Sequence, residues 1–236
     1  MILNRGSHQG EKPTIIYAGE GMPDEGWSGH RLLAEVAHCQ RGFKAHGLQA
    51  GDLVAIYGPN RPEAVAWTLA AASLGLLVTT ISPDFGIPAT LDRVSQTRPK
   101  LMLTAQRVFY NGRWHSLLDK AQEVASALGP IPLVCLAELC SESACGASNG
   151  DIPPVSLVPQ ILSYEDFGRS EEASENLEFV QLPFDHPLFV LYSSGTTGKP
   201  KCIVHSAGGT LLQQLKEHAL HGNLGPDDRY LQFTTI

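Results

Sequence analysis

What most constrains this chain is a spacing: short apolar runs recur between stretches of helical periodicity. LVAIY at 53–57, LVTTI at 77–81, LMLT at 101–104 and PLVCL at 132–136 are each four or five residues long. Runs this short, lacking a regular polar face, suit strands covered on both sides, whereas a helix needs ten residues or more. The segments between them, 60–74, 88–97 and 116–128, have the length and periodicity of helices. Strands and helices that alternate through short links have one common solution, a mostly parallel sheet with helices on both faces. The fold class read from the sequence is therefore α/β.

Local signals place the first elements. A β-prone run at 14–18 precedes Ser28, which is expected to cap a helix over 29–46 with Leu32, Leu33, Val36, Cys39 and Phe43 on one face. Gly47 ends that helix in the left-handed conformation. Asn60, with Glu63 three residues on, is read as a capping box for a helix that runs to Leu74 and stops at Gly75. That helix is Ala-rich and apolar nearly all round, so it is expected to be buried. The sequence SPDFG at 82–86 reads as a turn. Residues from about 138 to 160 lack periodicity and read as a loop or linker. Beyond them come one helical turn at 163–167, a polar stretch at 171–178 and a buried strand at 188–192.

Composition narrows the class of partner. Lys and Arg number 17 against 24 Asp and Glu, a net charge of −7. That balance argues against nucleic acid, whose phosphates call for a basic patch. Five cysteines, Cys39, Cys135, Cys140, Cys145 and Cys202, form no CxxC pair and have no His at zinc-ligand spacing. Cys39 and Cys202 lie in apolar runs and read as small buried hydrophobes, with reduced thiols fitting a cytosolic protein. The N-terminus has no apolar signal-peptide core. The longest apolar stretch, 64–78, is interrupted by Thr68, Ser73 and Gly75 and is too short for a membrane span of ~20 residues.

The chemistry is concentrated in SSGTTGKPK, residues 193–201, which follows directly on the strand ending at Tyr192. Gly195 and Gly198 allow close backbone approach to a ligand. Ser193, Ser194, Thr196 and Thr197 offer four hydroxyls, successive N–H groups offer an anion nest, and Lys199 and Lys201 add positive charge. A triphosphate, most simply that of ATP, needs this combination. The Walker A pattern does not fit, because Gly195 and Gly198 are too close and Lys199 is followed by Pro200 where a Ser or Thr would ligate magnesium. Residues 202–205 read as a strand, so the setting is strand, loop, strand. A hairpin turn without a ligand accounts for the glycines but not for four hydroxyls and two lysines together.

This loop is similar to the signature of the adenylate-forming superfamily, which includes acyl-CoA ligases, luciferases and peptide-synthetase adenylation domains. Segments 82–95 (SPDFGIPATLDRVS), 110–112 (YNG), 181–189 (QLPFDHPLF) and 202–223 (CIVHSAGGTLLQQLKEHALHGN) more narrowly resemble the acetoacetyl-CoA synthetase family. The likeness runs from about Thr14 to Thr235. It implies activation of acetoacetate by ATP, with magnesium, to an acyl-adenylate that coenzyme A then converts to acetoacetyl-CoA. It carries phosphate binding onto Ser193, Ser194, Gly195, Thr196, Thr197, Gly198 and Lys199. More weakly, it places His205, Gly208 and Gly209 by the nucleotide and acyl pocket, ahead of a helix at 210–221 with Leu211, Leu212, Leu215, Ala219 and Leu220 on its apolar side. It brings Asp84, Phe85, Gly86 and Arg113 toward CoA, although Arg113 on its own reads as a solvated loop charge.

The resemblance further implies that 1–236 is an incomplete N-terminal AMP-binding domain. The magnesium-binding glutamate motif, the ribose-binding aspartate, the hinge and the C-terminal domain with its catalytic lysine are not in this sequence. The chain alone is accordingly expected to be inactive and to expose apolar surface at a sheet edge. Two alternatives stay open: a non-catalytic ATP-binding module, and a ligase for another short acid such as acetate or propionate. Residue patterns alone do not choose the acid, the metal ligands or the oligomeric state.

Overall fold

The computed structural model describes residues 12–20, 24–129, 131–136, 160–169, 176–193 and 198–231. The chain opens with β1 (Pro13–Tyr17) and β2 (Glu25–Ser28), paired antiparallel as a separate ribbon. Helix α1 (Gly29–Ala45) follows, capped as expected by the Ser28 hydroxyl, which accepts from the Arg31 N–H at 3.2 Å. Gly47 leaves the helix at φ +69°. Then come β3 (Leu53–Tyr57), α2 (Pro62–Ser73), β4 (Leu77–Ile81), α3 (Ile87–Thr97) and β5 (Leu101–Ala105). A small hairpin, β6 (Arg107–Tyr110) and β7 (Arg113–Ser116), precedes α4 (Leu118–Leu128) and β8 (Leu133–Leu136). The remaining elements are β9 (Ile161–Ser163), the one-turn α5 (Tyr164–Phe167), β10 (Pro187–Ser193), β11 (Lys201–Ser206) and α6 (Ala207–Lys216), which runs into a π-helical turn at Glu217–His221.

Seven strands form one sheet in the order β11-β10-β4-β3-β5-β8-β9, parallel throughout except for the β10–β11 pair. The chain steps one way from β3 to β4 and the other way from β4 to β5. With right-handed crossovers this sends α2 to one face and α3 and α4 to the other. Both faces are then covered, and β3, β5 and β8 are buried along their whole length. On the α2 face, Phe43 meets Trp67 edge-on at 4.6 Å and Phe167 packs against both. The one-turn α5 docks on α1 through the Tyr164 carbonyl, 2.7 Å from His38 Nε2, and through the Tyr164 hydroxyl, which bonds Glu35 and Cys39.

The structure corrects several readings. The cap of α2 is Arg61, not Asn60, and makes no side-chain cap bond. Pro62 starts the helix and so places Glu63 at its second position. There its carboxylate takes the Arg61 guanidinium at 2.6 and 3.1 Å instead of closing a capping box. Ribbon β1–β2 gives the run at 14–18 a partner that sequence did not reveal, and residues 107–116 form a hairpin where no strand was read. Helix α6 begins three residues earlier than expected because Ser206 accepts from the Gly209 N–H at 3.2 Å. Cys39 and Cys135 are buried as expected, but Cys202 is exposed because it lies on the edge strand β11. The loop read at 138–159 lies outside the described residues. Among those described, no helix is long and apolar enough to cross a membrane.

Candidate functional site

Parallel topology gathers the loops of interest at one rim. The C-terminal ends of β3, β4 and β5 point the same way, and β10, being parallel to β4, delivers Tyr192 and Ser193 there too. Ligands of open α/β sheets bind in this position, outside the carboxyl ends of the strands. Ser193 pairs in register with Lys201, so the candidate phosphate loop is closed between two paired strand residues. That is the strand-loop-strand setting expected from Pro200 and the run at 202–205. Gly198 has φ +147° and Lys199 is exposed. Ser194, Gly195, Thr196 and Thr197 lie outside the described residues.

Helix α3 lies against both limbs of this loop. On the entering limb, the Thr97 and Tyr192 hydroxyls are 3.0 Å apart, and burial raises the Tyr192 pKa above its ordinary value. On the leaving limb, Gln96 Nε2 donates to the Pro200 carbonyl at 3.0 Å, and Lys199 Nζ is 4.0 Å from Asp92. The guanidinium of Arg93 covers the Phe85 ring at 4.1 Å and lies 5.9 Å from the Tyr192 ring. None of these α3 contacts was read from sequence, because only folding brings 92–97 beside 192–202.

Phe85 and Gly86 stand at the same rim, in the turn after β4. The Phe85 carbonyl accepts from the Tyr57 hydroxyl at 2.8 Å, and Gly86 starts α3. A recess of about 200 Å³ separates Asp84 in this turn from Tyr110, His115 and Lys120 of the hairpin and α4. Arg113 is exposed on β7, just past the Asn111-Gly112 turn. Both turn residues have positive φ, and their N–H groups donate to the Glu20 carboxylate at 2.9 and 2.8 Å.

His205, Gly208 and Gly209 are placed differently. Strand β11 runs back from the rim, and Ser206 pairs with Pro187 at the start of β10. Five strand residues, roughly 17 Å at about 3.4 Å each, separate Lys201 from that end. His205 and Gly209 line a cleft of about 700 Å³ with Thr68, Thr80, Phe189 and Gln213. Gly208 is committed to packing: its N–H donates to the Phe184 carbonyl at 3.0 Å, and a Cβ there would overlap the Phe184 ring. The leucines expected on the apolar side of this helix are exposed, from 58% for Leu211 and Leu215 in α6 to 76% for Leu220 in the π-helical turn. Among the described residues, no cluster of three or more His, Cys, Asp or Glu has the arrangement of a metal site.

Comparison with known proteins agrees with the fold. The model of the family described as AMP-binding enzyme matches residues 4–236. The chain is 45% identical over 207 residues to an acetoacetyl-CoA synthetase of Macaca fascicularis, covering 86% of this chain and 30% of that protein. It is 40% identical over 226 residues to a malonamoyl-CoA synthetase of Penicillium aethiopicum, covering 95% of this chain and 31% of that protein. The solved acetoacetyl-CoA synthetase of Streptomyces lividans superposes with a TM-score of 0.85 at 33% identity, over 99% of this chain and 34% of that one. The chain thus spans about a third of the length of the relatives it matches.

Proposed function

Because the chain belongs to the AMP-binding enzyme family, we propose that it provides the nucleotide phosphate grip of an ATP-dependent acid–thiol ligase acting on acetoacetate. The carrying observation is the antiparallel β10–β11 pair, which frames SSGTTGKPK at the rim where the parallel strands end. In this reading Ser193, Ser194, Gly195, Thr196, Thr197, Gly198 and Lys199 hold the β- and γ-phosphates. They neutralise the charge that builds on departing pyrophosphate as the acid's carboxylate attacks the α-phosphate. Magnesium arrives with the triphosphate as part of the substrate complex. Phe85, Gly86 and Arg113 border the approach of coenzyme A, while His205 and Gly209 face the larger cleft. Free thiols at Cys39, Cys135 and Cys202 suit a reducing compartment such as the cytosol.

Relatives of similar identity carry names with two different acids, acetoacetate and malonamate. The choice of acetoacetate rests on the number of acetoacetyl-CoA synthetases among them. Calorimetry with MgATP tests the grip: the wild-type chain should give saturable heat, and Lys199→Ala should weaken binding about tenfold. No heat at millimolar nucleotide would overturn the reading. The chain by itself should release no pyrophosphate with acetoacetate, acetate, propionate or malonamate; release with one of them would assign that acid and overturn the expectation of an inactive chain.

A further inference from the structure

We infer that helix α3 is the positioning element of the loop at 193–201, holding its two limbs through two separate rows of side chains. Residues four apart on a helix are neighbours on its surface, so Asp92 and Gln96 form one row and Arg93 and Thr97 the next. Among the described residues, the loop contacts of the first row are to the leaving limb. Gln96 Nε2 donates to the Pro200 carbonyl at 3.0 Å, Gln96 Oε1 accepts from Cys202 Sγ at 3.6 Å, and Asp92 is 4.0 Å from Lys199 Nζ. Among the described residues, the loop contacts of the second row are to the entering limb. Thr97 bonds the Tyr192 hydroxyl at 3.0 Å, and the Arg93 guanidinium is 4.1 Å from the Phe85 ring and 5.9 Å from the Tyr192 ring.

Need for such a device follows from the sheet. Among the described residues β11 pairs only with β10, and Pro200 stands just before the first ladder residue. The bond from Gln96 fixes that carbonyl, and with it the height at which Lys199 stands above the rim. Asp92 acts in the opposite sense. Its carboxylate, 4.0 Å from Lys199 Nζ, competes with an incoming phosphate for that ammonium and so weakens anion binding. Gln96 and Thr97 are positioning residues that act through the limbs, and the ligand they serve rests on the nucleotide reading above.

Hydrogen exchange on the 236-residue protein without nucleotide tests the mechanical part, using the near-isosteric variants Gln96→Met and Thr97→Val. Gln96→Met should speed exchange about fivefold in 198–203 and clearly less in 187–193, with which 201–203 share a ladder, and Thr97→Val should show the opposite ranking. Segment 101–105 in the central strand should match wild type in both. Exchange that is unaltered, or altered equally in both limbs, overturns the inference whatever the protein binds. Titration with MgATP supplies a readout that general loosening would not give. Gln96→Met should raise Kd severalfold while Asp92→Asn lowers it about threefold, the gain shrinking with added salt. An Asp92→Asn protein that binds MgATP more weakly than wild type overturns the role given to Asp92. A wild-type chain that binds no MgATP refutes the nucleotide reading, and the limb-specific exchange then decides the clamp by itself.

Discussion

Gly42, inside α1, touches the ring of Phe167 so closely that a Cβ on the glycine would overlap three of its carbons. Phe167 is 3% exposed and packed against Phe43, Trp67 and His46, so it has nowhere to move. Two effects oppose each other at this position. Alanine is better than glycine in a helix by about 1 kcal/mol, whereas overpacking a closed core costs about 1–3 kcal/mol. The clash is expected to win, so Gly42→Ala should lower the urea midpoint. Gly208→Ala meets the Phe184 ring, which is 65% exposed and free to swing away, and should cost less. Equal destabilisation by the two substitutions would contradict this account.

Glu63 and Arg61 form a buried pair, with side chains 10% and 7% exposed. Removing the carboxylate takes the Glu63 charge away from a buried guanidinium. Glu63→Ala is therefore expected to cost about 3 kcal/mol, and Glu63→Ala combined with Arg61→Leu appreciably less than the sum of the single changes. Chemical denaturation of the three variants checks this double-mutant cycle.

Thiol reactivity should separate the described cysteines. Burial pushes the Cys39 thiol up to about 12, so almost no thiolate exists at neutral pH, and Cys135 is also buried. Cys202 is exposed, with a pKa raised by the burial it does have. Iodoacetamide at pH 8 should label Cys202 in the native protein and reach Cys39 and Cys135 only in urea, as read by peptide mass mapping. Labelling of Cys202 should accelerate as pH rises toward and beyond 9.

Asp52 should shape the acid limb of stability. Burial alone would raise its carboxyl, but Lys100 Nζ at 2.6 Å and the Gln49 N–H at 2.9 Å outweigh it and hold the pKa below its ordinary value. A group depressed on folding stabilises the native state above its unfolded pKa of about 3.9 and loses that contribution as pH falls through the folded value. Urea midpoints should therefore drop between about pH 4 and pH 2, and more gently in Asp52→Asn. Identical acid limbs in the two proteins would remove Asp52 from the explanation.

Legibility followed the range of the interaction. The strands at 53–57 and 77–81, the Ser28 cap and the strand-loop-strand setting of 193–201 were readable because backbone hydrogen bonding, capping and proline geometry act over a few residues. The error at Asn60 was also local: Pro62 at the first helical position moved the cap by one residue. Pairing of β1 with β2 and the Asn111-Gly112 turn were signalled only by short runs and one dipeptide, too weak against the helix signals beside them. Cys202 was misplaced because an apolar run looks the same on a central strand and on an edge strand.

By itself, the sequence determined an α/β sheet and a glycine-, hydroxyl- and lysine-rich loop whose composition suits phosphate, since strand length, helical period and loop chemistry are written in consecutive residues. Only the tertiary structure decided what stands around that loop. It set Arg93, Gln96 and Thr97 of α3 against Tyr192 and Pro200, some hundred residues away, and placed His205 and Gly209 in a cleft with Thr68, Thr80 and Leu191. Those relations depend on strand order and on the antiparallel return of one edge strand, and no run of neighbouring residues encodes either.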